Sequence, residues 1–185
     1  MTADMAAEDG LPAWAVVTPG RRAHIERVVA LLREWATALR LDAAETRRWL
    51  RAGWLHDALR DAPENEMRRW APEVEGPVAL RHGPAAAARA ELEGETDADI
   101  LSAVRWHSVG WPGWGPVGRA LYCADFLEPG RPFDRPERAA LARSFPDDAD
   151  RVVCEVVSRR VSHAAARGWS LPPETTAFHT AACHR

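Results

Sequence analysis

The stretch Gly53–Asp61, with the sequence GWLHDALRD, ends an apolar helical run in an adjacent histidine and aspartate. Two charged residues and Pro63 follow at once, so His56 and Asp57 are expected at the end of a helix. A carboxylate is mildly unfavourable there, because that end of a helix carries partial negative charge. A bound cation is one reason for Asp57 to occupy this place. A core histidine beside a surface aspartate is the alternative that the dipeptide alone leaves open.

Helical patterns extend outward from this stretch in both directions. Apolar residues recur at three- and four-residue steps from His24 to Leu39. Asp42, with Glu45 three residues later, is a suitable N-cap for the helix that leads into His56. No convincing strand alternation and no internal repeat is present. We therefore predict an all-α fold, a single helical bundle of about seven to eight helices joined by short loops.

Turn residues divide the chain into three predicted segments. Residues 1–19 are polar at first and end at a Thr-Pro-Gly turn, and we predict a poorly ordered N-terminal leader. Residues 20–168 carry the helical pattern and form the predicted domain, whose last helix stops near Gly168. We assign residues 169–185 to a C-terminal tail.

Composition limits the classes of function. The 185 residues suffice for one domain with a core, and 46% hydrophobic and 28% charged residues are typical of a soluble globular protein. The net charge of −3 argues against a nucleic-acid binder that relies on a basic face. No apolar run approaches the length of a membrane span, and the first ten residues do not resemble a signal peptide. We expect a cytoplasmic protein without a nucleic-acid or membrane partner.

The three cysteines, Cys123, Cys154 and Cys183, are odd in number and far apart, and they form no C-x-x-C pair. This spacing predicts neither a disulfide framework nor a thiolate zinc site. A metal site in this chain is therefore expected to use nitrogen and oxygen ligands.

Six ionisable residues stand on apolar stripes or at predicted helix ends. They are His24, His56, Asp57, His82, His107 and Asp125. Four imidazoles and two carboxylates suit iron, manganese or zinc better than calcium. A carboxylate can bridge two metals, and six ligands leave open positions on such a pair. Two metals held close together form a clamp for the hydrolysis of phosphate esters and anhydrides.

The order of these residues resembles that of the HD-domain metal-dependent phosphohydrolases: a histidine, a His-Asp pair, two single histidines and an aspartate. The runs His107–Gly110, HSVG, and Ala124–Arg131, ADFLEPGR, are similar to the YqeK-type branch, the symmetrical bis(5′-nucleosyl)-tetraphosphatases. The likeness covers roughly residues 20–165. It implies an all-helical fold and the hydrolysis of diadenosine tetraphosphate to two ADP.

The same resemblance implies a ligand set. It places a first metal at His24, His56, Asp57 and Asp125. It places a second metal at His82 and His107, with Asp57 bridging. The implied cofactors are two divalent or mixed-valence transition metals, iron first, with manganese or zinc as alternatives. The implied partner is a small-molecule nucleotide substrate.

Arginine and tryptophan residues beside these motifs are candidates for binding the substrate. Arg60 and Arg131 follow the His-Asp and Ala-Asp motifs, where a polyphosphate needs guanidinium partners, and a solvated surface role is the equal alternative. Trp111 and Trp114 either stack on a nucleobase or pack their loop against the core. We predict that Asp57 and Arg60 are catalytic.

Other functions stay open at this point. The same fold can act on another nucleotide or phosphoester, such as a nucleoside monophosphate, and the chain can instead be a non-catalytic nucleotide-binding module. The complete set of six ligands favours an enzyme over such a module. The oligomeric state is open, with a homodimer among the alternatives.

Overall fold

The computed structural model describes residues 10–184, and over this range it contains nine α-helices and no β-strand. The helices are α1 Pro19–Ala38, α2 Ala43–Leu55, α3 Glu64–Trp70, α4 His82–Leu92, α5 Ala98–Trp106, α6 Pro116–Leu127, α7 Arg135–Ser144, α8 Ala149–Ala166 and α9 Pro173–Cys183. A 3-10 turn, Val78–Leu80, precedes α4. The predicted all-α class is confirmed, and the predicted count falls short because α9 lies in the segment assigned as a tail.

Side-chain caps fix where several of these helices begin. The Asp42 carboxylate accepts a hydrogen bond from the backbone N–H of Glu45 at 2.8 Å, as the sequence pattern predicts. The Asp97 carboxylate accepts from the first turn of α5 in the same way. Because α2 begins at a fixed residue and runs without interruption, His56 becomes its C-cap and Asp57 lies directly beyond it.

The core lies between α1, α2, α5, α6 and α8. Ile25, Val28 and Leu32 on α1 are fully buried, in agreement with the three- and four-residue spacing. Trp35 stacks on Phe145 with 4.0 Å between ring centroids, which packs the end of α7 against α1. Burying a side chain of leucine size contributes about 2 kcal/mol, so this apolar stripe holds α1 and its histidine in place.

The N-terminal segment differs in part from the predicted leader. Residues 1–9 lie outside the described residues. From Leu11 onward the chain packs on the bundle, with Trp14 and Val17 against the core. The Val16 N–H donates to the carbonyl of Ala58 at 2.8 Å, directly beside the His-Asp pair. The apolar residues of this stretch bury surface against the domain, which the prediction of a poorly ordered leader did not take into account.

The C-terminal segment also forms part of the domain. Phe178 on α9 is 3% exposed and packs edge-to-face against Tyr122 of α6. A disulfide joins Cys154 of α8 to Cys183 of α9. The prediction that the cysteines form no disulfide is therefore wrong for this pair. Their separation of 29 residues carries no pairing signal in the sequence, whereas antiparallel packing of two helices brings them together.

None of the helices within residues 10–184 combines the length and the apolar character needed to cross a membrane.

Candidate metal centre

Five helices and their ends bring the six predicted ligands into one buried cluster. His24 lies on α1, His56 and Asp57 follow α2, and Asp125 lies on α6. The other two histidines mark the start of α4 and the end of α5. None of the six residues is more than 8% exposed. Residues up to 101 positions apart in the sequence thus share one site.

The Asp57 carboxylate lies between two pairs of histidines. Its Oδ1 atom is 3.0 Å from Nε2 of His82 and 3.4 Å from Nε2 of His107. Its Oδ2 atom is 3.6 Å from Nε2 of His24 and 3.7 Å from Nε2 of His56. Each oxygen therefore serves a different histidine pair, which is the arrangement expected of a bridging carboxylate.

The opposite ring nitrogen of every histidine is engaged by an acceptor. Nδ1 of His56 donates to the carbonyl of Gly53 at 2.7 Å, and Nδ1 of His107 donates to the carbonyl of Val104 at 2.8 Å. Nδ1 of His82 likewise donates to a carbonyl three residues earlier, at 2.7 Å. A carbonyl can only accept, so the proton of each neutral ring lies on Nδ1 and the lone pair on Nε2.

These lone pairs face one another as well as the carboxylate. Nε2 of His82 is 3.0 Å from Nε2 of His107, and Nε2 of His24 is 3.4 Å from Nε2 of His56. Electron pairs this close repel unless a proton or a cation lies between them. Each histidine pair, together with Asp57, places its ligand atoms within 4.8 Å of one another. Nitrogen and oxygen donors in this arrangement fit transition-metal ions.

Three of these groups have pKa values shifted toward the protonation states that bind metals. Burial lowers the pKa of His56 to about 4 and also lowers the pKa of His82, so both rings are neutral near neutral pH. Burial by itself raises the pKa of Asp57, but the surrounding histidines, His56 first, more than offset it. They hold that pKa well below its ordinary value, and the carboxylate is ionised. Neutral imidazoles and an ionised carboxylate are the forms that bind metals.

His24 and Asp125 complete one side of the cluster. Nε2 of His24 is 3.2 Å from Oδ1 of Asp125, and Nδ1 of His24 donates to Glu128 at 3.1 Å. Burial lowers the pKa of His24, but Asp125 and Glu128 more than offset this and raise it. Glu128 is 1% exposed and also accepts from Arg27 Nε at 2.5 Å. A buried carboxylate that orients a ligating histidine in this way is a common support for metal sites.

A group of arginines surrounds the two carboxylates. Arg21 donates to Oδ2 of Asp57 at 2.7 Å, and Arg131 donates to Oδ1 of Asp125 at 2.7 Å. Arg160 donates to Oδ2 of Asp125 at 2.9 Å. Arg21 and Arg160 are not among the site residues predicted from the sequence. Both carry a signal in retrospect, since Arg21 stands three residues before His24 and Arg160 continues the valine stripe of α8.

The family model that matches this chain is the HD domain, over residues 21–152. The chain belongs to the HD domain family. The match confirms the resemblance that the ligand order indicates. It ends near the start of α8, so most of α8 and the whole of α9 lie beyond the matched region of this HD-domain protein.

Two known proteins are similar to it. A symmetrical bis(5′-nucleosyl)-tetraphosphatase from Bacillus subtilis (strain 168) is 33% identical over 90 residues, which cover 44% of this chain and 48% of the relative. The alignment therefore spans about half the length of that curated protein. The crystal structure of a predicted HD superfamily hydrolase involved in NAD metabolism, from Clostridium acetobutylicum, superposes with a TM-score of 0.79 at 22% identity. It covers 91% of this chain and 92% of its own, and it supports the fold.

The residues predicted to bind substrate occupy different environments in the HD-domain protein. Arg131 faces the cluster through Asp125, while the Arg60 guanidinium has no hydrogen bond or ion pair within residues 10–184. Trp114 is 6% exposed and packs edge-to-face against Phe178, so its burial fits the packing alternative instead of base stacking. Trp111 is half-buried and stacks on Trp106, with 5.0 Å between ring centroids.

Proposed function

We propose that this HD-domain protein is a metal-dependent phosphohydrolase that cleaves diadenosine tetraphosphate symmetrically into two ADP at a dinuclear centre. The observation that carries the proposal is the position of Asp57 between two histidine pairs, one facing each carboxylate oxygen. The similarity to a symmetrical tetraphosphatase supports the choice of substrate.

The proposed ligands divide into two groups that share one carboxylate. The first metal would be held by His24, His56, Asp57 and Asp125. The second metal would be held by His82, His107 and Asp57. Iron is the first candidate for both positions, with manganese and zinc as alternatives. When bound, such a pair polarises a phosphoryl group and lowers the pKa of a water molecule.

The chain's own residues bind and orient the phosphates. A cavity of about 340 Å³ adjoins the cluster, and Arg21, Arg27 and Arg131 line it together with His24 and Glu128. Guanidinium groups form paired, charge-assisted hydrogen bonds with phosphate oxygens. We assign Arg131 and Arg60 to the phosphates of the substrate, since the Arg60 guanidinium has no ion pair within residues 10–184. Their positive charge stabilises the negative charge that develops on the leaving nucleoside diphosphate.

The proposed cut is at the anhydride between the second and third phosphates. Water adds its oxygen to one inner phosphorus, the bond from that phosphorus to the bridging oxygen breaks, and the bridging oxygen leaves with the other ADP. A proton from the attacking water is transferred to solvent. Cleavage at an outer anhydride instead yields ATP and AMP.

Hydrolysis of diadenosine tetraphosphate in oxygen-18 water, with iron, manganese or zinc supplied in turn, tests this function. The expected initial product is ADP alone, with the label in half of the molecules. Equal amounts of ATP and AMP contradict the central cut. Release of phosphate from AMP without turnover of the dinucleotide points to a monophosphate substrate. Nucleotide binding without turnover under any metal points to a non-catalytic module.

A further inference from the structure

A second and larger cavity, of about 1480 Å³, also borders the metal centre. It shares Ser108 and Arg160 with the centre. Ser108 Oγ lies 3.2 Å from Nε2 of His107, and Arg160 Nη2 lies 2.9 Å from Oδ2 of Asp125. The other walls include parts of α6 and α8, the loop residues Phe133 and Asp134, and residues 167–172, which connect α8 to α9. The cavity and the cluster therefore meet at these two side chains.

Aromatic side chains line the cavity, and two of them are exposed. Phe133 is 46% exposed and Trp169 is 59% exposed, although large aromatic residues are normally buried. The edge of the His163 ring approaches Trp169 with 5.7 Å between centroids, and Cζ of Arg167 lies 5.8 Å from the Trp169 ring centroid. These contacts hold the indole at the cavity wall while leaving more than half of its surface to solvent. Such a surface is suited to stacking on another flat ring.

Charged side chains also line the cavity. Three arginines line it, together with only two acidic residues, Glu155 and Asp134. Glu155 is already paired with Arg159 at 2.8 Å, and Asp125 neutralises Arg160 from the side of the metal centre. Arg167 then provides a further positive charge close to Trp169. A positive charge next to an exposed aromatic ring favours an anionic, aromatic ligand over a purely apolar one.

We propose that this cavity binds the nucleoside part of a nucleotide whose phosphates lie at the metal centre, with the nucleobase stacked on Trp169. Arg167 provides a positive charge beside the stacked base. The inference rests on the proposed function, which places phosphates at the centre. The volume exceeds the 300–1000 Å³ that is typical of small-molecule sites, so a nucleoside fits within it. The wall around Trp169 lies beyond the HD-domain match, which ends at residue 152.

Calorimetric titration of the Mn²⁺-supplemented protein with ADP and with inorganic pyrophosphate tests the proposal, because only ADP has a base. Replacing Trp169→Ala should weaken ADP binding by about fivefold or more and leave pyrophosphate binding unchanged. The Trp169→Phe variant, which keeps an aromatic ring, should retain most of the affinity. Leu92→Ala removes an exposed apolar side chain, 69% exposed, from outside the cavity and should change neither affinity.

Unchanged ADP affinity in Trp169→Ala, equal weakening of ADP and pyrophosphate, or no measurable ADP binding by the wild type each overturns the proposal. The hydrolysis assay tests the proposed function independently of the nucleoside site. If ADP binds through Trp169 while diadenosine tetraphosphate is not cleaved, the nucleoside site stands and the proposed function fails. If the dinucleotide is cleaved with the same KM by the wild type and by Trp169→Ala, the function stands and the nucleoside site fails.

Discussion

Arg160 on α8 donates from Nη2 to Oδ2 of Asp125 on α6 at 2.9 Å, which links the last long helix to a proposed metal ligand. The same guanidinium reaches the carbonyl of Ser108 at 3.4 Å and lies 4.4 Å from the centroid of the Tyr122 ring. The opposite oxygen of Asp125 faces His24 and Arg131. Arg160 therefore sets the orientation in which Asp125 presents that oxygen to the cluster.

Replacing Arg160→Ala should weaken metal binding, because Asp125 loses the partner that orients it. Loss of such a supporting contact typically lowers metal affinity by about 10–100-fold. Competition with a chelator measures the affinity for the metal. The metal affinity of Arg160→Lys should lie between those of Arg160→Ala and the wild type. Arg151→Ala, an exposed arginine on the same helix, is the matched control. An unchanged affinity in Arg160→Ala would show that Asp125 is not oriented through this contact.

Replacing Asp57→Ala should remove most of the bound metal, since one change takes an oxygen from both histidine pairs. Elemental analysis of the purified protein measures its metal content. Asp57→Asn keeps the shape of the side chain and should lose metal as well, which separates the loss of charge from misfolding. Asp147→Ala, at an exposed aspartate, should keep the wild-type content. Wild-type metal content in both Asp57 variants refutes the ligand assignment.

Replacing Arg60→Ala should lower kcat/KM for diadenosine tetraphosphate by tenfold or more, equivalent to about 1.4 kcal/mol of lost transition-state binding. The melting temperature should stay near that of the wild type, because no ion pair within residues 10–184 depends on this side chain. Arg33→Ala, at an exposed position on α1, serves as the control. A large fall in melting temperature with unchanged kinetics assigns Arg60 to the fold instead.

Replacing Cys183→Ser should lower the free energy of unfolding measured without reductant. The bond closes a loop of 29 residues, for which chain entropy predicts a loss of about 3–4 kcal/mol. Adding reductant should weaken the wild type by a similar amount and leave the variant unaffected. If reductant destabilises both proteins equally, the effect does not come from the Cys154–Cys183 bond.

Replacing Gly118→Ala should destabilise the protein, since a Cβ atom there overlaps the ring carbons of Trp114. Overpacking of this kind lowers the free energy of unfolding by about 1–3 kcal/mol, which urea unfolding measures. Gly20→Ala is the matched control, because nothing lies within 4 Å of a Cβ at that helical position. It should be neutral or stabilise by about 0.5–1 kcal/mol. Equal behaviour of the two variants contradicts the tight packing of Trp114.

Much of this protein can be predicted from local sequence. Three of its features are local: the apolar spacing in α1, the N-cap at Asp42 and the end of the helical pattern before Pro63. Each depends on backbone hydrogen bonding and side-chain burial over one or two helical turns. They suffice for the all-α class and for placing His56 and Asp57 at a helix end. The ordered set of histidines and aspartates suffices for the family resemblance.

Other features depend on contacts between residues that are distant in the sequence. Particular helices must lie side by side for three such contacts to form. They are the contacts of Asp57 with two histidine pairs, the hydrogen bond from Arg160 to Asp125 and the Cys154–Cys183 disulfide. The burial of Trp114 and the exposure of Trp169 are likewise outcomes of packing, since both residues stand beside turns with similar local sequence character. Local spacing by itself determined that the six predicted ligands lie on apolar stripes or at helix ends. Only the tertiary structure decided which of them meet, because crossing and packing of helices join positions that local periodicity cannot relate.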